Sequence, residues 1–139
     1  MTAKEWLWQY RDISRERKEL ETRVSEIRAE AERITRPIKK VQTKSAGNGK
    51  TRDGVYAAIL ATEEGLREKI CTLYTLEREI EGVIGSVEEA RLRRILFLRY
   101  IQGHKWEHIA NKLCYDYYYV VKVLHPRALC AVEEILRAK

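Results

Sequence analysis

Phenylalanine occurs once, methionine once, proline twice and cysteine three times in 139 residues. Each scarcity excludes something. With two prolines and almost no strand-type alternation, little interrupts helical patterning. Cys71, Cys114 and Cys130 are odd in number, widely spaced and include no CxxC pair. That argues against a disulfide framework and for a reducing compartment such as the cytoplasm. No apolar run approaches the ~20 residues of a membrane-spanning helix. The opening Met1-Thr2-Ala3-Lys4-Glu5-Trp6 has no apolar signal core, so neither secretion nor a membrane is expected.

Charge and helix-forming residues are plentiful instead. Charged residues make up 35% and apolar residues 45%, with a net charge of +6, the balance of a folded helical chain rather than a disordered one. The charge is unevenly placed. Residues 1–35 are neutral, 36–54 carry +5, 55–85 carry −3 and 86–139 carry +4. A basic centre and a basic C-terminal third point to a polyanion as partner.

The expected fold class is all-α: a long antiparallel, coiled-coil-like hairpin over residues 1–85, then a three-helix, helix-turn-helix head over 86–139. In the first helix, about residues 3–35, apolar side chains recur at Trp6, Tyr10, Ile13, Leu20, Val24, Ile27, Ala31 and Ile34. Arg17 is the one charged residue on this 4-3 seam, and its aliphatic stem can lie along it. The pattern predicts an end at Thr35-Arg36-Pro37. A basic loop, 37–53, follows with five Lys/Arg and almost no apolar residue. A second helix, Val55 to Val83, carries Val55, Ile59, Leu66, Ile70, Leu73, Leu76, Ile80 and Val83 on its seam. Two helices of similar length joined by one loop suggest a hairpin, with self-association through it as the competing arrangement.

Gly82, Gly85 and Ser86 break the pattern. Ser86-Val87-Glu88-Glu89 has the spacing of a capping box opening a third helix, which Gly103 ends in a left-handed conformation.

Residues 104–125 fit a helix-turn-helix. The first helix runs from Trp106 to about Lys112 and turns Ile109, Ala110 and Leu113 inward, with small Ala110 where the helices cross. A tight turn follows at Leu113-Cys114-Tyr115. Asp116 suits the N-cap of the next helix. That helix is expected to turn Val120 and Val123 inward, ten and thirteen residues after Ala110, and to present Tyr117, Tyr118, Val121, Lys122 and His125 to the major groove. Tyrosine hydroxyls can bond phosphates or bases, and the rings can pack on sugars or thymine methyls. Lys105, Lys112, Lys122 and Arg127 would neutralise phosphates. Successive helical residues turn by about 100°, so at least one of Tyr117, Tyr118 and Tyr119 must be exposed. The competing interpretation is a three-helix packing or protein-docking module.

The stretch Arg94-Ile95-Leu96-Phe97-Leu98-Arg99-Tyr100-Ile101-Gln102-Gly103-His104-Lys105-Trp106-Glu107-His108-Ile109-Ala110 resembles the opening of region 4 of bacterial sigma factors. There an LRYxxG helix end is followed by W/Y-E-x-I-A. His125-Pro126-Arg127-Ala128-Leu129 resembles that family's closing R-A-L. With the hairpin, the chain resembles the phage and prophage sigma-region-4-like regulators of the ArpU/RinA type; the motif resemblance covers residues 90–137. It implies a transcriptional regulator of late phage genes, acting on promoter DNA in the cytoplasm of a bacterial host. It also implies Lys105 and Trp106 at the start of the backbone-crossing helix, and Tyr117, Tyr118, Val121 and Lys122 on the reading face. Arg99 falls near the phosphate-facing end of the preceding helix. RNA polymerase, and a second copy bound through the hairpin, are the other partners this reading admits. Two departures stand out. Cys114 replaces the usual turn glycine, at a cost on the order of 1 kcal/mol. Pro126 interrupts a continuous helix and predicts a kink or break at His125-Pro126.

Other signals are weaker. His104-Lys105-Trp106-Glu107-His108 spells the H-x-x-E-H of a zinc peptidase family, but His104 follows a helix-ending glycine and no further ligand motif completes the site. Gly47-Asn48-Gly49-Lys50-Thr51 resembles the end of a phosphate-binding loop, yet Lys44 stands where the first glycine belongs and no strand precedes it. No catalytic residues, metal or cofactor are assigned. A phage small-terminase-like packaging protein and a module docking on RNA polymerase are the alternatives to a DNA-binding regulator.

Overall fold

The computed structural model describes the backbone of residues 1–40 and 49–139 and the side chains of residues 1–34 and 54–139. Thr2 and Glu5 start the first helix. Glu5 N–H donates to Thr2 Oγ1 at 3.2 Å and Thr2 N–H donates to the Glu5 carboxylate at 3.1 Å, a reciprocal cap. Helix α1 spans Ala3–Lys40 and α2 spans Gly49–Gly85. The end expected at Thr35-Arg36-Pro37 is therefore overrun. A proline costs a long helix one backbone bond without forcing it to stop. Of the loop expected over 37–53, residues 41–48 and all five basic side chains lie outside the described residues.

The chain forms two compact units, residues 16–73 and residues 1–15 with 74–139. The sequence boundary at 85/86 is not a boundary between them. In the 16–73 unit the helices run antiparallel. Arg28 Nε donates to Glu63 Oε1 at 2.6 Å, and Arg67 Nη2 donates to the same oxygen at 3.0 Å. Hydrogen bonds from Arg28 and then Arg67 hold the Glu63 carboxyl below its ordinary range. Among the described residues of this unit Val24 and Leu66 are the buried apolar ones, while Val55, placed on the seam by periodicity, is 44% exposed.

The other unit holds the main core. Ala3, Leu7 and Tyr10 of α1 and Ile80, Val83 and Ile84 of α2 are buried in one cluster with residues of the C-terminal third. The buried stripe of α1 thus runs through Ala3 and Leu7, a helical step away from Trp6 and Ile13, which pack at the cluster's edge. Tyr10 Oη donates to Glu81 Oε1 at 2.8 Å.

Ser86 does not open the next helix. Its hydroxyl donates to Gly82 O at 2.8 Å, so it closes α2. Glu89 precedes α3 in an extended conformation and makes no side-chain cap. The Arg93 guanidinium reaches back to the carbonyls of Val87 (2.7 Å) and Glu88 (2.9 Å), while Val87 is buried. Side chains tie down this connection, so the capping-box assignment is corrected. Helix α3 spans Ala90–Leu96 and widens into a π-helical turn, Phe97–Ile101. Gln102 N–H bonds back five residues to Phe97 O, and Gly103 then takes φ +76°.

Three helical segments complete the chain: α4 (Trp106–Leu113), α5 (Tyr117–Tyr119) with a π-helical turn Val120–Leu124, and α6 (His125–Ala138). No strand occurs among the described residues, so the fold is all-α. No described helix is long and apolar enough to cross a membrane.

Candidate nucleic-acid interface

The turn between α4 and α5 is built from local chemistry. Ile109 is fully buried and Ala110 is 3% exposed, so both face the core. Cys114 stands in the left-handed region at φ 61°, ψ 37°. Its N–H bonds to Asn111 O and the N–H of Tyr115 bonds to Ala110 O at 3.0 Å. These are the two bonds of a Schellman turn, here made without glycine. Asp116 then takes an extended conformation, and Oδ2 accepts from Tyr118 N–H (3.1 Å) and Tyr119 N–H (3.4 Å). The cap satisfies two otherwise orphaned donors at the start of the helix.

Beyond that cap the surface is aromatic and basic. Tyr118 is 69% exposed and Tyr117 40%. Their rings meet edge to face at 5.7 Å. Lys105, Lys112, Lys122 and Arg127 are exposed and Val121 is half-buried. Tyr119 turns the other way and packs near Tyr115, centroids 5.9 Å apart. Arg91 lies beside both. Its Nε donates to Glu89 Oε1 at 3.0 Å. Glu89 first, then the hydroxyls of Tyr119 and Tyr115, hold its guanidinium well above the ordinary value.

Three residues expected at the interface are elsewhere. His125 is buried, not displayed. Its Nε2 is 2.7 Å from Tyr100 Oη and its ring is 4.4 Å from that of Trp106. Trp106 is accordingly half-buried. Arg99 is drawn inward too: its Cζ sits 5.1 Å from the Trp8 ring and 4.8 Å from the Trp106 ring. Nη1 donates to His104 O at 3.0 Å, while the buried Nε has no acceptor among the described residues. Cation–π attraction takes the place of an ion pair here. Arg99 and Trp106 therefore brace the start of α4 instead of facing a phosphate.

The inward register of the reading helix also differs. Val120 is fully buried as expected, but Val123 is 41% exposed and Leu124 is fully buried. The cause is the π-helical turn, in which His125 N–H reaches back five residues to Val120 O. A wider turn advances the inward face by one position and carries His125 with it. It also replaces the break expected at His125-Pro126. Helical dihedrals continue through Leu124 and His125, so Pro126 follows the widened turn within one unbroken helical stretch.

The rings of His104 and His108 are 4.6 Å apart, with His104 Nε2 3.1 Å from Gln102 Oε1. No group of three metal-ligating side chains is gathered among the described residues. Arg11 is a neighbour that sequence reasoning missed. A Cβ added at Gly103 would stand 3.1 Å from its Cζ and Nη2. The two residues are ninety-two positions apart, and no local pattern could join them.

A family model matches residues 33–129. The chain belongs to DUF1492, a family described as a protein of unknown function. The DUF1492 match takes in α4, the Cys114 turn, the Asp116 cap, Tyr117, Tyr118 and Lys122, and it leaves out Trp8 and Arg11. No curated protein and no solved structure matches the chain.

Proposed function

We propose that this chain binds double-stranded DNA as a sequence-specific transcriptional regulator, with α5 and the turn that follows it lying in the major groove. One observation carries the reading: a left-handed turn at Cys114 joins α4 to an Asp116-capped helix whose outer face offers Tyr117, Tyr118 and Lys122. Such a helix presents its first turn to base edges. Tyr118, 69% exposed, is open to a base through its hydroxyl or by packing on a thymine methyl. Lys105, Lys112, Lys122 and Arg127 neutralise backbone phosphates, which supplies affinity without sequence information. The resemblance to sigma region 4 supports a role at promoters of late phage genes, in the cytoplasm of a bacterial host, with RNA polymerase as a second partner. Self-association through α1 and α2 belongs to the same proposal.

The test is fluorescence anisotropy with labelled duplex fragments from around the chain's own gene, over a salt series. Four phosphate contacts give a log–log salt slope of about −4. Fragment-selective binding that weakens with salt supports the reading. Absent or uniformly weak binding overturns it.

A further inference from the structure

We infer that Arg11, near the start of α1, is a phosphate-contacting residue of the DNA interface, which therefore extends beyond the helix-turn-helix itself. This inference rests on the DNA-binding reading above. The Arg11 guanidinium lies over Gly103, two residues before Lys105, where a Cβ added to the glycine would stand 3.1 Å from its Cζ and Nη2. It is exposed. Its Cζ is 5.9 Å from the Trp8 ring, at the outer limit of cation–π attraction, so that contact alone holds it weakly. The other guanidinium at Trp8 belongs to Arg99, 5.1 Å from the ring. Arg11, Arg99 and Lys105 thus gather positive charge around one short connection. Among the described residues none of the three has a carboxylate at salt-bridge distance. Elsewhere Arg28, Arg67 and Arg91 each pair with a glutamate. Unpaired like charges around one connection repel each other, and an anion from outside relieves the repulsion. At the base of α4, that anion is a phosphate of the duplex flanking the reading helix, approached by Arg11 and Lys105 together. A guanidinium fits a phosphate diester through two parallel N–H donors.

The experiment uses the full chain with Arg11→Gln, Arg11→Lys and, as reference, Lys122→Ala. Each is titrated by anisotropy against the duplex the wild type binds best and against an unrelated duplex, over several salt concentrations, with thermal melts in parallel. Arg11→Gln is expected to weaken binding to both duplexes by roughly three- to tenfold at low salt and to reduce the magnitude of the salt slope by about 1. Arg11→Lys should keep the slope and lose less affinity than Arg11→Gln, since an ammonium supplies the charge without the two parallel donors, and both should melt with the wild type. If Arg11→Gln binds like the wild type while Lys122→Ala is weakened, Arg11 is no contact, and the DNA-binding reading stands without it. Equal loss in Arg11→Gln and Arg11→Lys with a lowered melting temperature assigns Arg11 to packing and overturns the inference. If the wild type binds neither duplex, the DNA-binding reading fails and takes this inference with it.

Discussion

The hydroxyl of Tyr100 and Nε2 of His125 stand 2.7 Å apart in the interior of the 1–15/74–139 unit. Burial pushes the Tyr100 hydroxyl up to about 12. Burial first, then the positive charges of Lys4 and Arg99, pulls His125 down to about 4. A histidine in the unfolded chain titrates near 6.5. Between those values the unfolded chain takes up a proton that the folded chain refuses. The contribution of this pair to stability is therefore complete above about pH 6.5 and is lost as pH falls toward 4. The loss is on the order of 1–3 kcal/mol. Melting temperatures at pH 7 and pH 5 check it. The wild type should lose more on acidification than His125→Gln does, and an equal loss in both would contradict the pairing.

Asp116→Ala removes the acceptor for two amide donors. The expected cost is about 1 kcal/mol. Asp116→Asn, which keeps a side-chain oxygen, should restore most of it. Urea unfolding measures the stability, and DNA affinity should fall with it because fraying starts at the turn carrying Tyr117 and Tyr118.

Cys114 is exposed, so replacing it sacrifices no packing. Its left-handed backbone costs about 1 kcal/mol for a residue with a Cβ, and glycine removes that cost. Glycine's greater freedom in the unfolded chain takes back about half. Cys114→Gly should therefore stabilise by roughly 0.5 kcal/mol, while Cys114→Val, β-branched in a left-handed position, should destabilise by about 1 kcal/mol or more. The order of their urea midpoints decides the matter.

The π-helical turn makes a sharp contrast between neighbours. Leu124→Ala empties a fully buried position and should cost about 2–5 kcal/mol. Val123→Ala, at an exposed one, should stay within about 0.5 kcal/mol. A reversal of that order would show that the helix keeps an ordinary α register.

Legibility in the sequence followed the range of the signal. The α4 segment, the Cys114 turn and the Asp116 cap were all legible, because each depends on residues within a few positions of one another. The π-helical turns were not. A 3.6-residue period gives no warning of a widened turn, so Val123 was placed inward where Leu124 belongs. His125, Arg99 and Trp106 were misplaced for a related reason. Polar residues and a tryptophan beside a basic surface look available to DNA, whereas here they pair with Tyr100, Trp8 and one another across the fold. Ser86 shows the limit of motif spacing. Its hydroxyl had two helices to serve, and the bond to Gly82 O took it for the earlier one. Tyr117, Tyr118 and Lys122 were legible as exposed, since three successive tyrosines cannot all face inward.

The central claim is that the helix beginning at Tyr117 reads base sequence, and selection from a random-sequence duplex pool tests it most directly. The wild type should enrich one short motif. Tyr118→Ala should retain a motif relaxed at one or two adjacent positions, each good base contact being worth about 1–3 kcal/mol of discrimination. No enrichment by the wild type, or an identical motif from Tyr118→Ala, would contradict the account.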